Sequence, residues 1–184
     1  MPAAYVSADG LHFAELLGKV LEGAVSYSQA TDDYLDDATP GKGLLADNTA
    51  ADGTNPYTAL EHAWDEAFGY FGLPRNGGDF TEDELAAASG RDAFKGGYND
   101  ANGDGRIDLV SEYAFDAAKY AARRDRTSSS TAKTSFFPTA WRHFVEGRRL
   151  ITEAAGPLDE AQLDALKVHR DAIVGAWEKT IVAS

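Results

Sequence analysis

The chain contains no cysteine, no long apolar run and few basic residues. The first absence excludes disulfides, zinc–thiolate sites and thiol catalysis. A membrane-spanning helix needs about 18 or more consecutive apolar residues, and the sequence has no such run. Thirty acidic residues outnumber 17 basic ones, which gives a net charge of −13. Nucleic acids and anionic membrane surfaces both require a basic face, so the charge argues against both as partners.

The remaining composition is that of an ordinary globular protein. The chain has 184 residues, of which 43% are hydrophobic and 26% are charged. This length suits one domain, predicted over residues 1–184, with enough material for a substantial core. The first five residues lack the basic and apolar regions of a signal peptide.

The densest group of oxygen-bearing side chains lies in residues 100–112, which begin D-A-N-G-D-G-R-I-D. Alternate residues of a tight loop can direct their oxygens to one centre, and the glycine in this pattern allows the sharp turn around an ion. Ca²⁺ takes six to eight oxygen ligands, so Ca²⁺ is the predicted cofactor. The predicted ligands are Asp100, Asn102, Asp104, the backbone carbonyl of Arg106, Asp108 and Glu112.

This loop departs from the EF-hand pattern at its end. The bidentate acid belongs at loop position 12, where Ser111 stands, and Glu112 follows one residue later. Ile107 is expected to anchor the loop in the core. The alternative is an Asp/Asn/Gly turn whose acids cap the next helix and bind no ion.

Helical periodicity dominates the rest of the chain, and no segment has the pattern of a paired strand. The sequence therefore predicts an all-α bundle of about five to six helices, with the EF-hand-like loop between two of them. Within the fourth helix, Val110 and Tyr120 are predicted to face the core. The last helix continues to the end of the chain without a stop signal, so we expect a fragment of a larger bundle, incomplete at both ends. The predicted helices cover residues 9–36, 56–71, 81–90, 109–126, 138–155 and 159–184.

The second helix carries a histidine and an acid four residues apart, His62 and Glu66. Residues at this spacing are neighbours on one helix face, so the pair can ligate a metal or act as a base with its orienting acid. Asp65 lies beside them. The competing interpretation is a hydrogen bond that only fixes helix packing.

The string H-A-W-D-E-A-F-G-Y-F-G at residues 62–72 resembles the signature of an uncharacterised family of exported bacterial helical proteins, often lipoproteins. Residues 24–31, Ser111-Glu112-Tyr113 and Glu146-Gly147-Arg148-Arg149 also match that family, so the resemblance spans about residues 10–184. The family is similar in general build to imelysins, helical proteins linked to iron uptake and to a proposed metallopeptidase activity. The resemblance implies export to the periplasm or outer cell surface, with a lipid anchor outside this chain.

The imelysin motif, G-x-H-x-x-E, matches this chain in part. His62 matches the histidine, Asp65 matches the acid by charge, Glu66 lies one position late, and leucine replaces the glycine. These three residues are the catalytic candidates. His143-Phe-Val-Glu146 also spells H-x-x-E, with Trp141 at the glycine position. His169, among charged neighbours, is predicted to lie on a solvated face.

Three functions are open from the sequence. The first is a non-enzymatic, calcium-stabilised protein of the bacterial envelope that captures a metal or another unidentified ligand. The second is an imelysin-type metal-dependent peptidase or iron-uptake protein using His62. The third is an architectural or adhesion module in which Ca²⁺ fixes one loop between helices and an envelope partner is bound.

Overall fold

The described part of the computed structural model comprises residues 6–86 and 100–183. It is a helical bundle, and isolated β-bridges join Val6 to His12 and Ala51 to Thr58. The helices are α1 (Phe13–Gln29), α2 (Ala59–Phe71), α3 (Glu82–Leu85), α4 (Asp116–Thr127), α5 (Phe136–Ala154) and α6 (Glu160–Ala183). The predicted all-α class is confirmed. None of the described helices is both long and apolar enough to cross a bilayer.

Helix α1 continues directly into a π-helical turn, Ala30–Tyr34. The Leu35 N–H donates to the Ala30 carbonyl five residues earlier, at 2.8 Å, which is the π-helical spacing. The wide turn brings the Tyr34 ring onto Tyr70 of α2, with ring centroids 5.6 Å apart. The predicted helix over 9–36 therefore exists, but its end has a different geometry.

Helix α2 ends at the predicted residue and begins three residues later than predicted. Thr58 and Glu61 form a capping box at its start, and Gly72 ends it with a φ of 85°. Gly72 also lies against the backbone of Phe115, so a side chain there would collide with that carbonyl. The apolar stripe of α2 packs into the core through Trp64 and Phe71.

An aromatic cluster joins α2 to the antiparallel hairpin of α5 and α6. Trp64, Phe71 and Phe144 are almost fully buried and meet edge to face, and Phe71 reaches Trp177 of α6 with centroids 4.7 Å apart. Such pairs contribute roughly 0.5–1.5 kcal/mol beyond their buried area. The Trp64 indole N–H also donates to the Phe144 carbonyl at 2.8 Å, which fixes the ring.

The fourth helix begins seven residues later than predicted. Residues 109–115 are not helical, because their backbone pairs with the segment that follows α2. The N–H groups of Arg75 and Asn76 donate to the carbonyls of residues 110 and 111, and the Phe115 N–H donates to Gly72. The inward orientation predicted for Val110 is wrong, since it is 60% exposed, and Tyr120 is also partly exposed.

Helix α1 shows the limit of periodicity as evidence. Its apolar residues repeat at helical spacing, yet the exposed fraction of each larger one is between 49% and 68%. A groove of about 410 Å³ runs beside α1 and is lined also by α4 and α6. The larger apolar residues of this face are Phe13, Leu16, Leu17, Val20, Leu21 and Val25.

Candidate metal centres

The loop at residues 100–112 is organised by its first acid. The Asp100 carboxylate accepts the N–H groups of Gly103, Asp104 and Gly105 at 2.8, 3.1 and 2.9 Å. Gly103 and Gly105 have φ angles of 75° and 76°, which non-glycine residues adopt only with strain. The backbone thus wraps around the Asp100 carboxylate.

The next oxygen-bearing side chains continue the same arrangement. Asn102 Oδ1 accepts the Asp104 N–H at 2.9 Å, and Asp104 Oδ1 accepts the Arg106 N–H at 2.8 Å. Asp108 Oδ1 accepts the Val110 N–H at 2.8 Å. Hydrogen bonds from Ser111 and from the Val110 backbone lower the pKa of Asp108. Asn102, Asp104 and Asp108 therefore each use one side-chain oxygen to bind and shape the loop backbone.

Glu112 is the buried member of the loop, with an exposed fraction of only 2%. Its Oε1 accepts the N–H groups of Ala101 and Asn102 at 2.9 and 3.3 Å. Its Oε2 accepts the Asp108 N–H at 3.0 Å. One carboxylate therefore ties the incoming arm of the loop to the outgoing arm. In this arrangement Glu112 acts on the backbone, and as an ion ligand it remains a prediction.

Replacing Glu112 by glutamine is expected to destabilise the protein by about 1–3 kcal/mol. A glutamine of the same size keeps one oxygen, but its amide nitrogen faces backbone N–H donors that then lose their buried acceptor. Chemical denaturation of the wild type and Glu112→Gln, both in chelator, measures this difference. The exposed Asp104→Asn change is the matched control, with an expected effect under about 0.5 kcal/mol in chelator. Equal stability of all three proteins would show that Glu112 does not stabilise the fold by joining the two arms of the loop.

One feature of the loop differs from the sequence prediction, because Ile107, expected in the core, is 43% exposed. Within residues 100–112, no three acidic residues have carboxylate oxygens that all lie within 4.8 Å of one another. Calcium coordination also draws on amide and backbone carbonyl oxygens, here those of Asn102 and Arg106.

His62 lies between two acids near the start of α2. Its Nε2 is 3.3 Å from Glu66 Oε1, and its Nδ1 is 3.7 Å from Asp52 Oδ2. Its ring packs edge-on against Tyr57, with centroids 5.2 Å apart. The predicted His62–Glu66 neighbourhood is thus present, and Asp52 is an acid that the sequence did not single out.

Asp65, the other candidate acid, is engaged elsewhere. The Arg148 guanidinium of α5 donates to Asp65 Oδ1 at 2.9 Å and to Glu61 Oε1 at 2.6 Å. Thr152 also donates to Glu61, at 2.9 Å. This network joins α2 to α5 and directs Asp65 toward an arginine. The Asp65 carboxylate is therefore held by an arginine, and its role as a partner of His62 remains a prediction.

A third cluster lies where α5 packs against α6. His143 Nδ1 is 2.9 Å from His169 Nδ1, and His169 Nδ1 is 3.8 Å from Glu146 Oε2. Among the described residues, this is the group whose three histidine or acidic ligand atoms lie within 4.8 Å of one another. All three side chains are half-buried, so the solvated position predicted for His169 is wrong. Burial, together with the positive charge of Arg142, lowers the pKa of both histidines.

Sequence reasoning noticed only part of this cluster. The i, i+3 spacing of His143 and Glu146 on one helix was visible in the sequence. His169 lies 26 residues away, and only the pairing of two helices brings it to the same point. The available signal was the short connection between the helices predicted over residues 138–155 and 159–184, since helices joined in this way usually pack side by side.

The comparisons with known proteins give a family but no function. The chain belongs to the family described as a domain of unknown function, DUF4856, whose profile matches residues 2–137. Searches of curated proteins and of solved structures returned no match. The family match includes the loop at 100–112 and His62. It ends before His143, Glu146 and His169.

Proposed function

We propose that this protein is a non-enzymatic calcium-binding protein whose ion lies in the loop at residues 100–112. The observation that carries the proposal is the wrapping of the backbone around Asp100, which accepts three successive N–H groups. Asp100, Asn102 and Asp104 then stand at alternate positions of one turn. The Arg106 carbonyl and Asp108, directly or through water, would complete an all-oxygen set of the kind Ca²⁺ prefers.

Hydrogen bonds link the loop to the core, so ion binding in the loop would affect the stability of the fold. Glu112 links both arms of the loop to a buried position, and the following backbone pairs with the segment after α2. An ion that neutralises the crowded acids would hold this connection in place. We expect the ion to order the approach to α4, which suits a role in which Ca²⁺ stabilises a binding protein.

We further propose that the protein works in the bacterial envelope, as the family resemblance of its sequence implies. Weak calcium loops are loaded where calcium is abundant, which is the case outside the cytosol. A net charge of −13 favours attraction of cations and disfavours nucleic acids and anionic lipid surfaces. Metal or ligand capture is the role most consistent with these properties.

Calcium is expected to raise the melting temperature, and Asp104→Ala is expected to abolish that rise. Binding only to the folded state adds RT ln(1 + [L]/Kd), which is about 2.7 kcal/mol at one hundred times Kd. For a protein of this size, that corresponds to a rise of several degrees. Calorimetric scans with calcium and with chelator measure it.

The matched control is Asp164→Ala, which removes an exposed acid from α6 and should leave the calcium response unchanged. A melting curve that is the same with calcium and with chelator would refute the proposal. A rise that persists in Asp104→Ala would show that the ion binds elsewhere.

The peptidase alternative has weaker support. A catalytic metal needs three protein ligands and an open position. Near His62, the acid that best matches the imelysin motif, Asp65, is paired with Arg148. The third alternative, an architectural or adhesion module, would share the calcium loop and differ only in what the rest of the surface contacts.

A further inference from the structure

We propose that His143, Glu146 and His169 form a second, chemically distinct site that binds a first-row transition metal such as Zn²⁺. The two helices that supply these residues form the antiparallel hairpin of α5 and α6. Helix α5 contributes two ligands three residues apart, which places them on one face. Helix α6 contributes the third from the opposite side.

The distances fit a small coordination sphere. Metal–nitrogen bonds of about 2.0–2.1 Å in a tetrahedral site place neighbouring ligand atoms roughly 3.3 Å apart. The His143–His169 nitrogen pair at 2.9 Å and the His169–Glu146 pair at 3.8 Å lie on either side of that value. Because all three ligand atoms lie within 4.8 Å of one another, an inward movement of the side chains would centre an ion among them.

The ligand types select the class of metal. Imidazole nitrogens suit zinc, copper, nickel and iron, whereas calcium and magnesium prefer oxygen ligands. This site therefore would not compete with the oxygen-rich loop for the same ion. The carboxylate of Glu146 supplies a negative charge that offsets part of the charge of a divalent ion.

The proton arrangement without metal is defined by Arg142. A guanidinium only donates, and it lies 3.1 Å from His143 Nε2, so that nitrogen accepts. The His143 proton then sits on Nδ1 and is donated to His169 Nδ1. Metal binding moves this proton to Nε2 through solvent and requires Arg142 to turn away.

An open cleft of about 440 Å³ adjoins the cluster. Glu146 and His169 line it together with Arg149, Glu153 and Gln162. A water or an external ligand could reach a fourth coordination position from this side. Three protein ligands with one accessible position distinguish this site from a closed structural zinc site.

The test is a titration of the full chain with Zn²⁺ in excess calcium, followed by calorimetry. One zinc per chain is expected in the wild type. His143→Gln, Glu146→Gln and His169→Gln should each weaken binding about tenfold or more, because one lost ligand costs more than about 1.4 kcal/mol. Cobalt(II) provides a second readout, since its visible absorption reports the nitrogen and oxygen ligands directly.

Two controls separate this site from the others. His62→Gln removes a histidine that also has a glutamate four residues later, and it should leave zinc binding unchanged. Arg142→Gln removes a competing cation and should strengthen binding several-fold. Far-UV circular dichroism and the melting temperature of each variant confirm that it is folded.

The proposal is overturned if the wild type binds no zinc, or if the double variant His143→Gln/His169→Gln binds it as tightly. A loss of binding in His62→Gln alone would place the metal at α2 and would also overturn it. Since the calcium loop is tested in separate scans, failure of one site leaves the other measurable.

Discussion

Gly147→Ala is expected to destabilise the protein by about 3 kcal/mol or more, although it adds a single methyl group. A Cβ at this position would lie 2.2 Å from the Trp64 ring, far inside van der Waals contact. The ring cannot yield easily, because its N–H is bonded to the Phe144 carbonyl and its edge packs on the Phe144 ring. Overpacking of a rigid core costs typically 1–3 kcal/mol and occasionally more.

Chemical denaturation measures this effect, and Gly175→Ala is its matched control. Gly175 lies in α6 with open space where a Cβ would be placed, so alanine should stabilise it by about 0.5–1 kcal/mol. Trp64→Phe in the Gly147→Ala background should recover part of the loss, because the smaller ring leaves room for the methyl group. If Gly147→Ala and Gly175→Ala change the free energy of unfolding in the same direction, Gly147 is not packed closely against Trp64.

Asp125→Ala is expected to cost about 3 kcal/mol. Asp125 is completely buried in α4, and its two carboxylate oxygens accept the Phe136 and Phe137 N–H groups at 2.8 Å each. These are the first two residues of α5, so an acid from another helix caps α5. Hydrogen bonds to a charged group contribute about 1.5–3 kcal/mol each, and alanine would leave two donors without an acceptor.

The control for this second prediction is Ser135→Ala. Ser135 occupies the N-cap position of α5 but makes no side-chain capping bond there, so its loss should change stability by under about 0.5 kcal/mol. Asp125→Asn should fall between the two, since an amide can accept one N–H and repels the other. If denaturation shows that Ser135→Ala and Asp125→Ala lose the same stability, Asp125 is not the residue that mainly caps α5.

Local signals predicted the helices whose ends depend on their own residues. The helix predicted over residues 56–71 begins three residues before α2 and ends at the same residue. The start of α4 was missed because the backbone after residue 109 pairs with residues 72–76, a contact between distant segments. The cap of α5 was missed for the same reason: capping rules examine neighbours in sequence, and the acid comes from ten residues upstream of Ser135.

The candidate sites divide in the same way. All the loop oxygens come from one short segment, so their pattern was visible in the sequence. The cluster of His143, Glu146 and His169 requires two helices to face each other in one register. Apolar periodicity in α1 correctly indicated a helix, but periodicity cannot tell whether another surface covers the apolar face.

The π-helical turn at Ala30–Tyr34 holds more residues per turn than the α-helix before it. If the same residues formed an ordinary α-helical turn, everything after it would rotate by about 100° around the helix axis. Tyr34 would then leave Tyr70, and the Leu35 carbonyl would leave Arg170 of α6, which now donates to it. The wide turn therefore sets the contacts that the end of α1 makes with α2 and α6.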